Sequence, residues 1–520
     1  MGNWKNDILK KLLYPIEKDL VFLFLVWGLL AFPEFVVQIA KGNYYYSVLY
    51  LFLYFGLSYL IVFIADFSRL SSKILKPAFF LVLSVLTVVN IYCLYTYRTR
   101  LTYNFLEIIA ATNPEETKEY LTMYIGPVQY VMIFLGFAIC WVLFWMSCKL
   151  KNRFKLNPYF AGVLFVCSVV SYFINPTLKE EFVTWNFKFE DVADLSKYPT
   201  HPKLQQVADT LPEFVVVIIG ESHAKSHNSL YGYTKDTNPY LRTLKDSNEL
   251  IVFNNVVSPA TNTSNSFKYI LNTFQKKSDN EVPWYKTTNL IEVLKASGYH
   301  TSWFSNQAER GLYNNLSSGP ARLCDTSVFI REFSNDKKYD AQLAEIELDP
   351  GMIKERNAVF YHLMGQHILF NERYPSDFEY FKESDYPLTK DLIKRTHLAQ
   401  YDNATRYNDY TINKIIEKYR DRDAIIFYFP DHGLDVYESS SDYCGHALET
   451  ASSQKVGVQI PFYVYLTKEY KRLRPEIASR IEASVSNPYS TDKFIFTVMD
   501  GAGLKFKDNN DVSNLSLFRR

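Results

Sequence analysis

Cysteine is scarce where a scaffold would need it. Of the six cysteines, Cys93, Cys140, Cys148 and Cys167 fall in or beside long apolar runs, which leaves Cys324 and Cys444 for the rest of the chain. Two thiols allow one disulfide at most, so disulfides cannot be the framework of this fold. An excess of one charge is also missing. The 56 Lys and Arg residues nearly cancel the 55 Asp and Glu, for a net charge of +1. That gives no reason to expect a nucleic-acid-binding surface, which would need a clear basic excess. The 19 glycines and 21 prolines in 520 residues are too few for a disordered or collagen-like chain. Apolar residues are abundant instead, at 48%, with 40 Tyr and 39 Phe among them. At ~100–200 residues per domain the length predicts about three domains. The mean hydropathy of −0.12 hides an uneven distribution.

The first third reads as membrane. The stretches 20–40, 45–66, 77–97, 126–148 and 158–175 are long and mostly apolar. A helix needs ~20 such residues to cross a bilayer, so five spans are expected. Pro33 and Pro77 are expected to kink or cap their helices. The first run is too long for a cleaved leader, and four more follow it. Lys5, Lys10, Lys11, Lys18, Arg69, Lys73, Lys76, Lys149, Lys151, Arg153 and Lys155 flank one set of span ends, and Lys41, Arg98, Arg100 and Lys118 the other. The richer side is cytoplasmic, which puts the N-terminus inside and everything after about residue 176 on the far side. The expected organisation is a transmembrane domain over 1–177, a bridge over 178–210 and a soluble domain over 211–520. In the bridge, "EEFVTWNFKFEDVADL" mixes aromatics with acids, as in a segment lying along a membrane surface; an ordinary linker is the alternative.

From about residue 211 the texture changes. "FVVVIIGE" (214–221), "YHTSWFSN" (299–306), "NAVFYHLMGQH" (357–367), "AIIFYFPDH" (424–432) and "IPFYVYL" (460–466) read as buried strands. Residues 289–298 and 398–421 read as helices between them. The alternation predicts an α/β/α sandwich with a mostly parallel sheet. Glu221, His367, Asp431 and His432 each fall where an apolar strand ends. In such sheets the ligand crevice lies outside the carboxyl ends of the strands, so these residues are expected to converge.

Two carboxylates and an imidazole make an O,O,N donor set that suits Zn²⁺ with one position open. A hydroxyl placed at that position is activated by the metal. "SPATNTSNSF" (258–267) offers Thr261, Thr263, Ser264 and Ser266 ahead of a helical run, where a hydroxyl can equally serve as the helix N-cap. Alone, "DHG" is a weak motif. His367 and His446 are available to bind phosphate oxygens or move protons.

The ordered set "VVVIIGESHAKSHNSLYGYTKDTNPYL" (215–241), "SPATNTSNSF", "GYHTSWFSNQ" (298–307), "YHLMGQHILFNERYP" (361–375), "YDNATRYNDY" (401–410), "FPDHGLDVYE" (429–438) and "CGHALETASSQKVGVQIPFYVY" (444–465) resembles the membrane-anchored phosphoethanolamine transferases, within the alkaline phosphatase/sulfatase superfamily. The resemblance runs over nearly the whole chain. It implies an alkaline phosphatase-like catalytic domain behind five transmembrane helices, in a bacterial inner membrane with the catalytic domain periplasmic. It implies one tightly bound Zn²⁺, with a second during turnover, and places Glu221, Asp431, His432 and Thr263 as its ligands. Thr263 is also the implied nucleophile, with Thr261 two residues away as the alternative and Ser222 a poorer one. His367 and His446 are implied to act catalytically and to contact phosphate or a second metal. "ATNPEETKEYL" (111–121) is similar to a segment that contacts the lipid donor, which implicates Thr112 and Glu116. The implied donor is phosphatidylethanolamine. The implied acceptor is a lipopolysaccharide (core heptose or lipid A) or another glycolipid.

This chain departs from the lipid A-modifying members in having few soluble-domain cysteines, "DHGLD" for "DHGES" and "GES" for "GET". Those departures point to the branch that modifies core heptose. The rival activity is phosphoglycerol transfer from phosphatidylglycerol. The rival of another class is an inactive scaffold, which the presence of all four ligand-type residues opposes. A formylglycine sulfatase is not expected, because no Cys-x-Pro-x-Arg element occurs.

Overall fold

The computed structural model describes residues 11–66, 69–97, 99–102, 105–106, 109, 114–151, 153–174, 195–276, 282–309, 316–331, 337–348, 354–440, 443–446, 450–507 and 512–519. The chain forms two compact units, one of Met1–Glu107 with Tyr124–Glu190, the other of Ile108–Met123 with Asp191–Arg520. The bridge sequence over 180–194 lies outside the described residues.

In the first unit, α1 (Leu20–Ala40), α2 (Tyr44–Ala65), α3 (Arg69–Tyr97) and α5 (Pro127–Lys149) each carry a stretch long and apolar enough to cross a membrane. The fifth expected span is a shorter apolar helix, α6 (Pro158–Ile174), of 17 residues. At 1.5 Å per residue it is about 25 Å long, the lower end of what a span needs. Pro33 and Pro77 lie inside α1 and α3 rather than at their ends. Charges buried in this unit are paired, Asp19 with Lys76 and Glu34 with Arg100, because an unpaired charge away from water is costly. The remaining element, α4 (Pro114–Tyr124), falls between α3 and α5 in sequence and largely within the second unit.

The second unit is built on a seven-stranded sheet. Its strands are β1 (Phe214–Gly220), β2 (Leu250–Val252), β3 (His300–Ser305), β4 (Thr326–Phe329), β5 (Asn357–His362), β6 (Ala424–Pro430) and β7 (Tyr463–Leu466), in the order β2-β7-β6-β1-β5-β3-β4. All seven residues of β1 are buried. Val215, Val217 and Ile219 point into one core, and Phe214, Val216 and Ile218 into the other. A strand covered on both faces has no polar alternation, which is why it reads as one apolar run. Over one face, α7 (Pro239–Asp246) contributes Leu241 and Leu244, and the long α10 (Leu392–Tyr419) contributes Ile412, Ile415, Ile416 and Tyr419. Over the other lies α9 (Leu290–Ala296), with Leu290, Ile291, Val293 and Leu294.

The sheet is mostly parallel, as expected from the sequence, and mixed by one reversed strand. β6, β1, β5, β3 and β4 run parallel, but β7 is antiparallel to both of its neighbours. The connection from β6 stays at the end of the sheet where β6 finishes, forming the loops around Asp431–His446. A chain that re-enters from the end it left must run backwards. Among the described residues, Cys324 and Cys444 are not joined by a disulfide.

Candidate active site

Glu221 and Asp431 leave adjacent parallel strands at the same level, because Gly220 pairs with Pro430 across β1 and β6. The Asp431 amide donates to the Gly220 carbonyl at 3.0 Å and ties the two exits together. His432 follows directly. Its Nδ1 lies 2.6 Å from the Gly433 carbonyl. A carbonyl only accepts, so Nδ1 carries a proton and Nε2 is the nitrogen turned to the carboxylates. Nε2 is 3.2 Å from Glu221 Oε1 and 3.7 Å from Asp431 Oδ2. All three side chains are buried, with ligand-type atoms within 4.8 Å of one another.

This cluster is short of positive charge. Asp431 Oδ2 is buried without a hydrogen-bond partner. Burial, reinforced by the charge of Glu221, pushes the Asp431 carboxyl well above the usual carboxylate range. Burial works against a charge on His432, yet Asp431 and Glu221 raise it to about 9. Two neighbouring carboxylates in a dry site must bind protons or a cation. The O,O,N set and the orphaned Asp431 oxygen fit a zinc ion.

Thr263 opens the short helix α8 (Thr263–Phe267), whose N-cap is the Asn262 side chain, accepting from the Asn265 amide at 3.0 Å. The capping role considered for the local Ser and Thr hydroxyls is thus filled by Asn262. Thr263 Oγ1 donates to Glu221 Oε2 at 3.1 Å and lies 3.4 Å from His432 Nε2. Thr261 is buried, with its methyl carbon against Gly457. The Ser266 hydroxyl faces the Ala260 carbonyl at 3.5 Å. Ser222, in the left-handed conformation (φ 55°), gives its hydroxyl to Glu221 Oε1 at 2.7 Å. It therefore orients a ligand-type carboxylate.

The two further histidines differ. The His446 ring centre is 5.0 Å from that of His432, and its Nδ1 has no hydrogen-bond partner. Burial holds it down at about 3, so it is neutral at pH 7. His367 sits on the loop after β5, with 20% of its side chain exposed, and its charge bears on both Glu221 and His446. Of the two residues implicated in lipid contact, Thr112 lies outside the described residues; Glu116 is in α4, but its side chain is likewise not described.

Several residues that shape the site had no signal in the sequence. Gln307 Nε2 bridges Glu221 Oε2, at 3.4 Å, and the Leu363 carbonyl, at 2.9 Å. Buried Asp340 accepts from the amides of Met364 and Gly365, at 2.9 and 2.8 Å, and from Asn306 at 2.8 Å. Gly365, with φ +50°, rests directly on the Glu221 backbone. The one available hint was a glycine just past a strand end. The serine counterpart of the sulfatase element, Ser-x-Pro-x-Arg, does occur, at Ser318–Arg322. Ser318 is buried and donates to the Glu309 carbonyl at 2.9 Å; the hydroxyls bonded to Glu221 among the described residues are those of Thr263 and Ser222.

Residues 213–504 match the family model described as Sulfatase, over more than half of the chain. The chain belongs to the sulfatase family. Its curated relatives are transferases. Phosphoethanolamine transferase EptC of Escherichia coli (strain RS218) is 25% identical over 456 residues, 80% of this chain and 77% of that one. Kdo(2)-lipid A phosphoethanolamine 7''-transferase of Escherichia coli K12 is 26% identical over 279 residues, 52% of this chain and 47% of that one. Among solved structures, the C-terminal periplasmic domain of Escherichia coli EptC in complex with Zn has a TM-score of 0.54 at 25% identity, covering 62% of this chain and 90% of that one. The integral membrane lipooligosaccharide phosphoethanolamine transferase EptA of Neisseria meningitidis has a TM-score of 0.64 at 18% identity, covering 96% of both chains. The alkaline phosphatase-like sandwich and the apolar helical region ahead of it are thus features shared with these enzymes.

Proposed function

We propose that this family member transfers phosphoethanolamine from phosphatidylethanolamine to a lipopolysaccharide acceptor, core heptose or lipid A, in a bacterial inner membrane with the catalytic unit on the periplasmic side. The observation that carries the reading is the Thr263 hydroxyl at 3.1 Å from Glu221 and 3.4 Å from His432, at the carboxyl ends of β1 and β6. The names of the relatives supply the group transferred, and the lipid A relative supports the acceptor class. The zinc complex of the similar EptC domain supports the metal. The Lys and Arg distribution around the spans supports the orientation.

Glu221, Asp431, His432 and Thr263 would hold the zinc ion, which when bound lowers the pKa of the threonine hydroxyl and offsets charge on the phosphate. Thr263 Oγ1 bonds to phosphorus, and the bond from phosphorus to the diacylglycerol oxygen breaks. His367 and His446 face the phosphate and exchange protons with the leaving and attacking oxygens. The acceptor oxygen then bonds to phosphorus as the bond from phosphorus to Thr263 Oγ1 breaks, and Oγ1 regains the proton it gave up on attack. Positioning and charge stabilisation are most of what phosphoryl transfer requires.

Thr263→Ala tests this. The variant should stay folded, release no diacylglycerol from labelled phosphatidylethanolamine and show no phosphoethanolamine on the 258–267 peptide by mass spectrometry. Persistence of the adduct would move the nucleophile, first to Thr261. Release from phosphatidylglycerol instead would replace the donor.

A further inference from the structure

His367 is held by a residue from a distant part of the sequence. Helix α4 lies between the third and fourth apolar helices in sequence, yet its Glu119 belongs to the catalytic unit. Glu119 Oε1 is 2.6 Å from Arg373 Nη2, and Oε2 is 3.4 Å from His367 Nδ1, a buried nitrogen that has this carboxylate beside it and no hydrogen-bond partner among the described residues. Arg373 is almost fully buried and is engaged twice over. Its Nε donates to the carbonyls of His367 and Ile368, both at 3.2 Å, and its Nη2 to Ile368 at 2.7 Å. One guanidinium therefore fixes both the backbone of His367 and the carboxylate that faces its ring. Burial would raise the Glu119 carboxyl, but His367 and Arg373 hold it down at about 2, so it is an anion at any physiological pH.

We infer that Glu119 is a positioning residue for His367: its carboxylate engages the ring at Nδ1 and presents Nε2 to the phosphate of the donor. This rests on the transferase reading above. A carboxylate beside one ring nitrogen fixes the tautomer and the orientation, and it favours the imidazolium when a proton is taken up. When the phosphorus–oxygen bond to diacylglycerol breaks, His367 gives its Nε2 proton to the leaving oxygen and keeps the Nδ1 proton toward Glu119. When the acceptor hydroxyl attacks phosphorus, Nε2 takes that proton back. Glu119 touches neither substrate, so its removal acts on turnover and acts through His367.

The test uses the full-length protein in lipid nanodiscs with fluorescent phosphatidylethanolamine. Glu119→Gln should lower kcat about 10- to 100-fold with KM nearly unchanged, within the range of a lost acid–base contribution. Glu119→Asp should recover part of the loss. In a His367→Gln background, Glu119→Gln should cost less than about 2-fold more, because two residues acting as one unit are not additive. An equal loss in both backgrounds, a change confined to KM, or wild-type turnover in Glu119→Gln overturns the inference. A readout without turnover separates it from the transferase reading. Diethyl pyrocarbonate labelling of His367, followed by peptide mass spectrometry, should rise several-fold in Glu119→Gln, because the ring loses the carboxylate that favours the unreactive imidazolium. Unchanged labelling overturns the inference. A wild-type protein that releases no diacylglycerol overturns the transferase reading, and labelling then decides the contact by itself. If Glu119→Gln fails to fold, Glu119→Asp carries the same cycle, with a smaller loss expected.

Discussion

Replacing Gly365 by alanine should damage the metal site without touching any ligand side chain. Gly365 has φ +50°, and a Cβ there would sit 2.6 Å from the Glu221 carbonyl oxygen and 2.8 Å from its nitrogen. Both atoms are backbone, so no side chain can swing aside. Ordinary contact begins near 3.4 Å, so the loop or Glu221 must give way by roughly 0.8 Å. The loop is not free to do so alone, because the Gly365 amide is tied to Asp340 at 2.8 Å and the Gln366 amide to the Glu221 carbonyl at 2.9 Å. The left-handed backbone adds about 1–2 kcal/mol for a residue with a Cβ. With overpacking of about 1–3 kcal/mol, the loss of stability should total about 2–5 kcal/mol. A ligand displaced by nearly an ångström should lower turnover about 100-fold. Zinc affinity by chelator competition, diacylglycerol release and thermal melting measure the three effects. The control is Gly232→Ala, where φ is +96° but a Cβ meets nothing within 4 Å. It should cost about 1–2 kcal/mol and leave the site intact. Wild-type zinc affinity and turnover in Gly365→Ala would refute the packing of this loop on Glu221.

Two further predictions concern protons. Buried His227 lies 2.6 Å from Asp402; burial works against its charge, but Asp402 raises it from 6.5 to about 10. A raised histidine stabilises the fold fully below its unfolded value and loses that contribution as pH rises through the folded one, here between about 6.5 and 10. Thermal melting should therefore decline over that window by the equivalent of a few kcal/mol, and His227→Gln should flatten the decline; an unchanged slope refutes the pair's role. Zinc loading of metal-free protein at pH 7 should release about one proton, because His432, raised to about 9, holds one until a cation replaces it. Calorimetry in buffers of different ionisation enthalpy measures this, and release of less than ~0.5 proton refutes the account.

Much of the catalytic unit was legible because its strands are covered on both sides. β1, β5 and β6 are buried throughout, so each appears in the sequence as an apolar block ending at Glu221, the His367 loop or Asp431. The two strands that escaped notice are an edge pair of little extent, β2 with three residues and β4 with four. Runs that short carry no period. The reversal of β7 was hidden because direction is set by the connection before a strand and not by its composition. At the site, the ligand-type residues were readable because each follows a strand directly. Gln307, Asp340 and Gly365 were not, because each acts on a partner brought close only by the tertiary fold. Asp340 meets Gly365 across 25 residues of chain, and Gln307 meets Glu221 across 86.

Charge arithmetic links these parts under the transfer reading. A phosphodiester brings one negative charge to a pocket that already holds Glu221 and Asp431. A zinc ion offsets two of the three. His446 cannot offset the third, since burial keeps it neutral down to about 3. His432 would not either, because its Nε2 would be a ligand of the metal. The ring left to face the remaining charge is that of His367, which is partly exposed and has a carboxylate beside its Nδ1. That carboxylate would itself be a liability beside an anionic substrate, and Arg373 at 2.6 Å cancels it. Outward from the phosphate the order is therefore imidazole, carboxylate and guanidinium, with the Glu119 carboxylate held between the two nitrogen groups. Removing Glu119 alone leaves Arg373 uncompensated and His367 unheld, which is why its substitution by glutamine, a neutral side chain of nearly equal shape, is the sharper test than truncation.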